Sequence, residues 1–142
     1  MIMQFRGKYY FLSNFYPHKF VYGGVEYYNS EAAFQAQKCV NKCEKLALSN
    51  MESPMEAKKY GKTVALREDW EDVKNNVMYS VLMAKFSSDE ELKRKLLCTG
   101  EEELVEGNTW GDSYWGYDLE KNEGKNILGK LLMQVRKDLS EK

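Results

Sequence analysis

EDWEDVKNNVMYSVLMAKF, residues 68–86, is the stretch that decides the fold. Trp70, Val73, Val77, Val81 and Ala84 recur in it at steps of three and four, the period of a helix with one apolar face. The spacing predicts a long amphipathic helix over 68–86. Working outward, Ser88 and Glu91 read as a capping box. Leu92, Leu96 and Leu97 supply the buried face of the helix that follows, which ends before Gly100. Ile127, Leu128, Leu131, Leu132, Val135 and Leu139 mark one side of a last helix. Upstream, Ser53-Pro54-Met55-Glu56 is a capping box with proline at the first helical position, and Gly61 is the expected stop. Asn29 or Ser30 can cap a helix that opens at Glu31 and runs through EAAFQAQKCV. One segment breaks the pattern. FVYGGVEYYN (20–29) sets Gly23-Gly24 between aromatic and β-branched runs, a hairpin signal because glycine supplies the positive φ of a tight turn. The predicted class is mainly α, with a small antiparallel β element near the N-terminus.

Composition narrows the function. The 142 residues carry 21 Lys+Arg against 22 Asp+Glu, a formal net charge of −1. With a pI of about 5.9, coating DNA or a membrane by bulk charge is excluded. Mean hydropathy is −0.65. No apolar run approaches the ~20 residues that span a bilayer, and MIMQFRGKYYF lacks the apolar segment of a signal peptide. Without repeats, low-complexity tracts or linkers, residues 1–142 read as one continuous domain. Cys39, Cys43 and Cys98 are odd in number and lack a framework spacing, which predicts reduced thiols and a cytoplasmic setting. His18 is the only histidine and follows Pro17 in a turn, so no metal site is expected. No GxxxxGK[ST] or GxGxxG motif is present, and no cofactor is expected. Lys93-Arg94-Lys95 is balanced by Asp89, Glu90 and Glu91 and reads as a solvated helix face.

Two constellations carry candidate chemistry. Glu31, Gln35 and Lys38 are spaced i, i+4, i+7 and share one face of a straight helix. Glu31 and Lys38 would then lie about 10 Å apart along the axis, placed to bracket an extended polar ligand. Glu31 also sits in the first turn, where the helix dipole favours a carboxylate. The plainer reading is a solvated polar stripe. The second constellation is Trp110-Gly111-Asp112-Ser113-Tyr114-Trp115-Gly116, part of a polar, glycine-rich segment between the last two helices. There Asp112 could orient water beside rings that stack on a nucleobase. Its plainer reading is a turn residue beside a satellite core. Trp70, at the head of the long helix, is either a core anchor or a wall of a base pocket.

FLSNFYPHKF (11–20), YYNSEAAFQAQK (27–38), SPMEAKKYGKTVALREDW (53–70), VMYSVLMAKF (77–86), LLCTGEEELVEGNTWGDSYWG (96–116) and GKNILGKLLMQVR (124–136) together resemble the NADAR family of YbiA-like proteins. The resemblance spans nearly the whole chain in the family's order. It implies a YbiA-like helical fold and hydrolysis of an N-glycosidic bond between a base and a (phospho)ribose or ADP-ribose moiety. Family activities include cleavage of riboflavin-pathway intermediates and removal of ADP-ribose from guanine, hence a nucleotide or ADP-ribosyl substrate and, with it, ADP-ribosylated nucleic acid as a partner. Carried over by motif, the glutamate before AAFQAQK is Glu31, the lysine is Lys38, the tryptophan of LREDW is Trp70 and the acid of WGDSYWG is Asp112. The family often has histidine after the glutamate, whereas this chain has Ala32, which removes one proton or hydrogen-bond partner.

The residue types suit that chemistry. Breaking a C1′–N bond builds positive charge on the sugar, which a nearby carboxylate stabilises. The expectation gives Glu31 that role or general acid/base work, and gives Asp112 the attacking water, on the premise that the two converge on one cleft. Lys38 would bind phosphate or form a Schiff base with the opened sugar. Trp70, Trp115, Tyr114, Arg67, Asn14 and Gln35 complete the substrate-binding candidates, with a structural carboxylate as the other reading for Arg67. The competing classes are a non-catalytic ADP-ribose or NAD-binding module and a helical interaction domain with an aromatic docking surface.

Overall fold

The computed structural model describes residues 1–142. They form two compact units, Asn14–Ser88 in the middle of the chain and Met1–Ser13 with Asp89–Lys142 from its ends.

In the middle unit, β1 (Phe20–Tyr22) pairs antiparallel with β2 (Val25–Tyr27), Phe20 opposite Tyr27. Gly23 and Gly24 have φ of 59° and 80°, the double left-handed geometry of a two-residue hairpin. Four helices follow: α1 (Ser30–Ala36), α2 (Lys42–Ser49), α3 (Pro54–Gly61) and α4 (Trp70–Ser87). Asn29 caps α1 by accepting the Ala32 amide at 2.8 Å, and Ser53 Oγ caps α3 by accepting the Glu56 amide at 3.2 Å. The core gathers Phe20 and Tyr27 of the hairpin, Ala32, Ala33 and Ala36 of α1, Leu48 of α2, Ala57 of α3 and Val81 of α4. Small alanines let α1 lie close to its neighbours, and all seven of its residues are buried. The predicted face of α4 is rotated. Met78, Val81, Leu82, Lys85 and Phe86 form its buried side with Trp70, while Val73, Val77 and Ala84 are half-buried.

In the terminal unit, Ile2 exchanges backbone hydrogen bonds of 2.8 Å with Glu103 and Val105, so the start of the chain lies along the segment before the glycine-rich stretch. A 3-10 helix covers Gly7–Leu12. α5 (Glu90–Leu97) packs on α6 (Ile127–Ser140) through Leu92, Leu96, Leu128, Leu132 and Val135, all buried. Two dipeptide strands, β3 (Gly107–Asn108) and β4 (Tyr117–Asp118), pair in parallel within the segment read as a polar loop.

One capping expectation is corrected. Asp89, not Ser88, caps α5, accepting the Glu91 amide at 2.8 Å. Ser88 instead ends α4, donates to the Lys85 carbonyl at 2.6 Å and pairs with His18 Nε2 at 2.9 Å. Gly61 is the last residue of α3, as expected, and it keeps helical geometry, with Lys62 following as an ordinary right-handed cap. No helix is long and apolar enough to cross a membrane.

Candidate active site

The middle unit holds Glu31, Gln35, Lys38, Asn14, Arg67 and Trp70, and the terminal unit holds Asp112, Tyr114 and Trp115. Glu31 enters on the first turn of α1. Its own amide donates to the Asn14 carbonyl at 3.0 Å, and Asn14 Oδ1 accepts from Ser30 Oγ at 2.8 Å. Asn14 is therefore turned inward and fixes the start of the helix. One turn on, Gln35 Nε2 donates to Glu31 Oε2 at 2.6 Å. Glu31 and Gln35 are 9% and 6% exposed, so the polar stripe faces inward and is not a solvated face.

The straight-helix geometry for Lys38 does not hold. α1 ends at Ala36, Gln37 caps it, and Lys38 lies in the turn beyond. Its carbonyl accepts the Arg67 amide at 2.9 Å, and Cys39 forms a bridge with Leu66, which fastens the turn to the segment before α4. From that turn the Lys38 ammonium still feels the Glu31 charge. Burial pushes the Lys38 pKa below the ordinary lysine value, and the Glu31 carboxylate draws it part of the way back. Lys38 Nζ also reaches the Gly61 carbonyl at 3.5 Å.

Trp70 is 5% exposed and packs its ring on Phe34 of α1, centroids 5.2 Å apart and planes at 51°. It anchors α4 to the helix that carries Glu31. Arg67 closes its guanidinium on Asp69 with contacts of 2.6 and 3.0 Å, the structural-carboxylate arrangement. Ala32, at the position after Glu31, is fully buried in the core.

In the terminal unit, Asp112 Oδ1 accepts the Tyr114 and Trp115 amides at 3.1 and 3.0 Å, as a turn-forming aspartate does. The two rings meet edge to face with centroids 4.9 Å apart, and Lys125 Nζ lies over Tyr114 at 5.4 Å. Trp110 stands out at 58% exposed.

The sequence reading missed Lys85. It is fully buried in α4, with its ammonium near the rings of Tyr16 and Phe86, and burial draws its pKa down to about 7. A signal was available, because Lys85 stands four residues after Val81 and in phase with Met78, inside the apolar face.

A mainly helical fold whose first helix buries a carboxylate and an amide bonded to it, with a half-buried lysine just past its end, defines the class. The chain belongs to the NADAR domain family, whose model matches residues 3–140. It is similar to N-glycosidase YbiA of Escherichia coli strain K12, 40% identical over 130 residues that cover 90% of this chain and 80% of that protein. It is 34% identical over 133 residues to a riboflavin biosynthesis protein of Vibrio vulnificus, covering 92% of this chain but 36% of that longer protein. The solved NMR structure of E. coli YbiA matches with a TM-score of 0.88 at 36% identity, covering 99% of this chain and 86% of that one. The family and the YbiA-like helical fold expected from the six stretches are thus established.

Proposed function

We propose that this chain is an N-glycosidase that hydrolyses the bond between a base and a (phospho)ribose or ADP-ribose moiety. The observation that carries the reading is the buried Glu31 carboxylate, held by Gln35 on the first helix, in a chain whose relatives are named N-glycosidases. As the C1′–N bond breaks, its electron pair leaves with the base, which takes a proton. Glu31 stabilises the positive charge left on the sugar. Water then bonds to C1′ and gives up its proton to a carboxylate. Lys38, its amine less strongly protonated than an ordinary lysine, binds phosphate or condenses with the opened sugar. Trp70 shapes the base pocket from within the core.

Two substrate classes are compatible with this reading. The riboflavin biosynthesis protein of V. vulnificus favours a free pathway nucleotide. ADP-ribosylated guanine is the other substrate, compatible with a near-neutral chain that reads one nucleotide locally. Mass spectrometry of products from each substrate decides between them. Free base from either supports the reading, and the Glu31→Gln variant should release none while remaining folded. Tight ADP-ribose binding with no base released would show the non-catalytic module instead.

A further inference from the structure

The side chain of Gln35 does two things at once. Its Nε2 donates to Glu31 Oε2 at 2.6 Å, while its Oε1, buried, accepts no hydrogen bond. A buried carbonyl oxygen without a donor is costly, so its orientation needs a reason. Rotating the amide would satisfy nothing at Glu31, because it would set Oε1 against the carboxylate oxygen. The unsatisfied oxygen lies instead against the Cα of Gly61 on α3. A Cβ built at residue 61 would overlap Oε1 and Cδ of Gln35. Glycine is needed at 61 because another helix's side chain occupies the space a methyl would take. The carbonyl of the same residue receives Lys38 Nζ.

Resting on the N-glycosidase reading, we infer that Gly61 is a seat that presses Gln35 onto Glu31, and that Gln35 is a positioning residue for the carboxylate and not a substrate contact. Gln35 is 6% exposed, too buried to offer a face to a ligand, and one of its two amide protons is held by Glu31. With the seat filled, the carboxylate is held in one rotamer and kept as a hydrogen-bond acceptor, the state that stabilises a cationic sugar. With the seat blocked, Gln35 must leave and Glu31 loses the amide that orients Oε2. Since transition-state stabilisation is steep in geometry, a misplaced carboxylate should lower the rate far more than it weakens binding.

The test is a double-mutant cycle on Gln35→Ala, Gly61→Ala and their combination, with kcat and KM measured for base release. Gln35→Ala should cut kcat by about 100-fold and leave KM within about threefold. Gly61→Ala should cut kcat similarly, and the double variant should be no slower than Gln35→Ala alone. It should also melt above Gly61→Ala, because the overlap is gone, which keeps the cycle readable if Gly61→Ala folds poorly. A KM increase at constant kcat in Gln35→Ala would make Gln35 a substrate contact and overturn the inference. Losses that multiply in the double variant would also overturn it. If the wild-type protein releases no base at all, the N-glycosidase reading fails and the seat is judged by NMR. The Gln35 side-chain NH₂ protons should exchange slowly in the wild type and rapidly in Gly61→Ala, whereas rapid exchange in both would remove the seat.

Discussion

Asn108 grips Asp112 through both ends of its amide, donating from Nδ2 to the Asp112 carbonyl at 2.9 Å and accepting the Asp112 amide on Oδ1 at 3.0 Å. The same Nδ2 reaches the Glu106 and Tyr117 carbonyls, each at 3.3 Å, so one fully buried side chain ties β3 to β4 and to the turn between them. Asp112 in turn holds the amides of Tyr114 and Trp115. Asn108→Ala should therefore destabilise the protein by about 3 kcal/mol, because it removes the Asn108 partner from the part-buried Asp112 amide and carbonyl and the Tyr117 carbonyl. Asn108→Asp should be at least as damaging, since it sets a carboxylate oxygen against three carbonyls. Urea unfolding measures both. A loss below about 0.5 kcal/mol for Asn108→Ala, the scale of an ordinary surface change, would mean that the turn holds itself.

Lys38 should titrate below an ordinary lysine, because burial disfavours its charged form more than Glu31 favours it. Removing the Glu31 charge takes away the favourable part. In Glu31→Gln the Lys38 amine should titrate lower still and be neutral over a wider range of pH. Side-chain carbon NMR, with the Lys38 signal assigned by its loss in Lys38→Arg, reads the direction. A shift upward would show that Glu31 does not act on the amine.

Gly129 lies in the first turn of α6, where Gly→Ala ordinarily stabilises a helix by about 1 kcal/mol. Here the sign should reverse. A Cβ at 129 would overlap the Leu104 carbonyl and the side chain of Asn126. That side chain is committed, donating to the Leu104 carbonyl and accepting the Glu106 amide, each at 2.9 Å. Gly129→Ala should cost about 1–3 kcal/mol as an overpacked site. A rise in the melting temperature would show that the Leu104 segment moves aside freely.

Periodic features were readable from sequence because they are local. The hairpin at Gly23-Gly24, the caps at Asn29 and Ser53 and the span of α4 all follow from residues a few positions apart. Misreadings arose where a distant partner decides. Gly61 ends α3 as its sequence position suggests, but the residue that requires glycine there is Gln35, on another helix. The Glu31–Gln35 stripe had the right spacing, yet spacing does not say whether a polar face meets water or protein. β3 and β4 pair through two residues each, too few to leave a period. Ser88 and Asp89 are adjacent capping residues, and the end of α4 claims the first of them.

Lys85 gives the fold a pH signature. Its pKa is about 7 in the folded protein against 10.5 for a free side chain, with burial as the cause. Between those values the unfolded chain holds a proton at this site that the folded chain has shed. Stability therefore rises with pH from about 7 towards 10.5 through this group. Below pH 7 both states are protonated and the full cost is present. The difference, 10.5 − 7 = 3.5, corresponds to about 5 kcal/mol across that window. Lys85→Met keeps the volume and removes the titration. Urea unfolding of the wild type and Lys85→Met, compared from pH 6 to pH 10, should give a difference that narrows as pH rises, because only the wild type gains from deprotonation. A difference that stays constant with pH would place the folded-state pKa of Lys85 near its free value and refute its burial as a charged-form penalty.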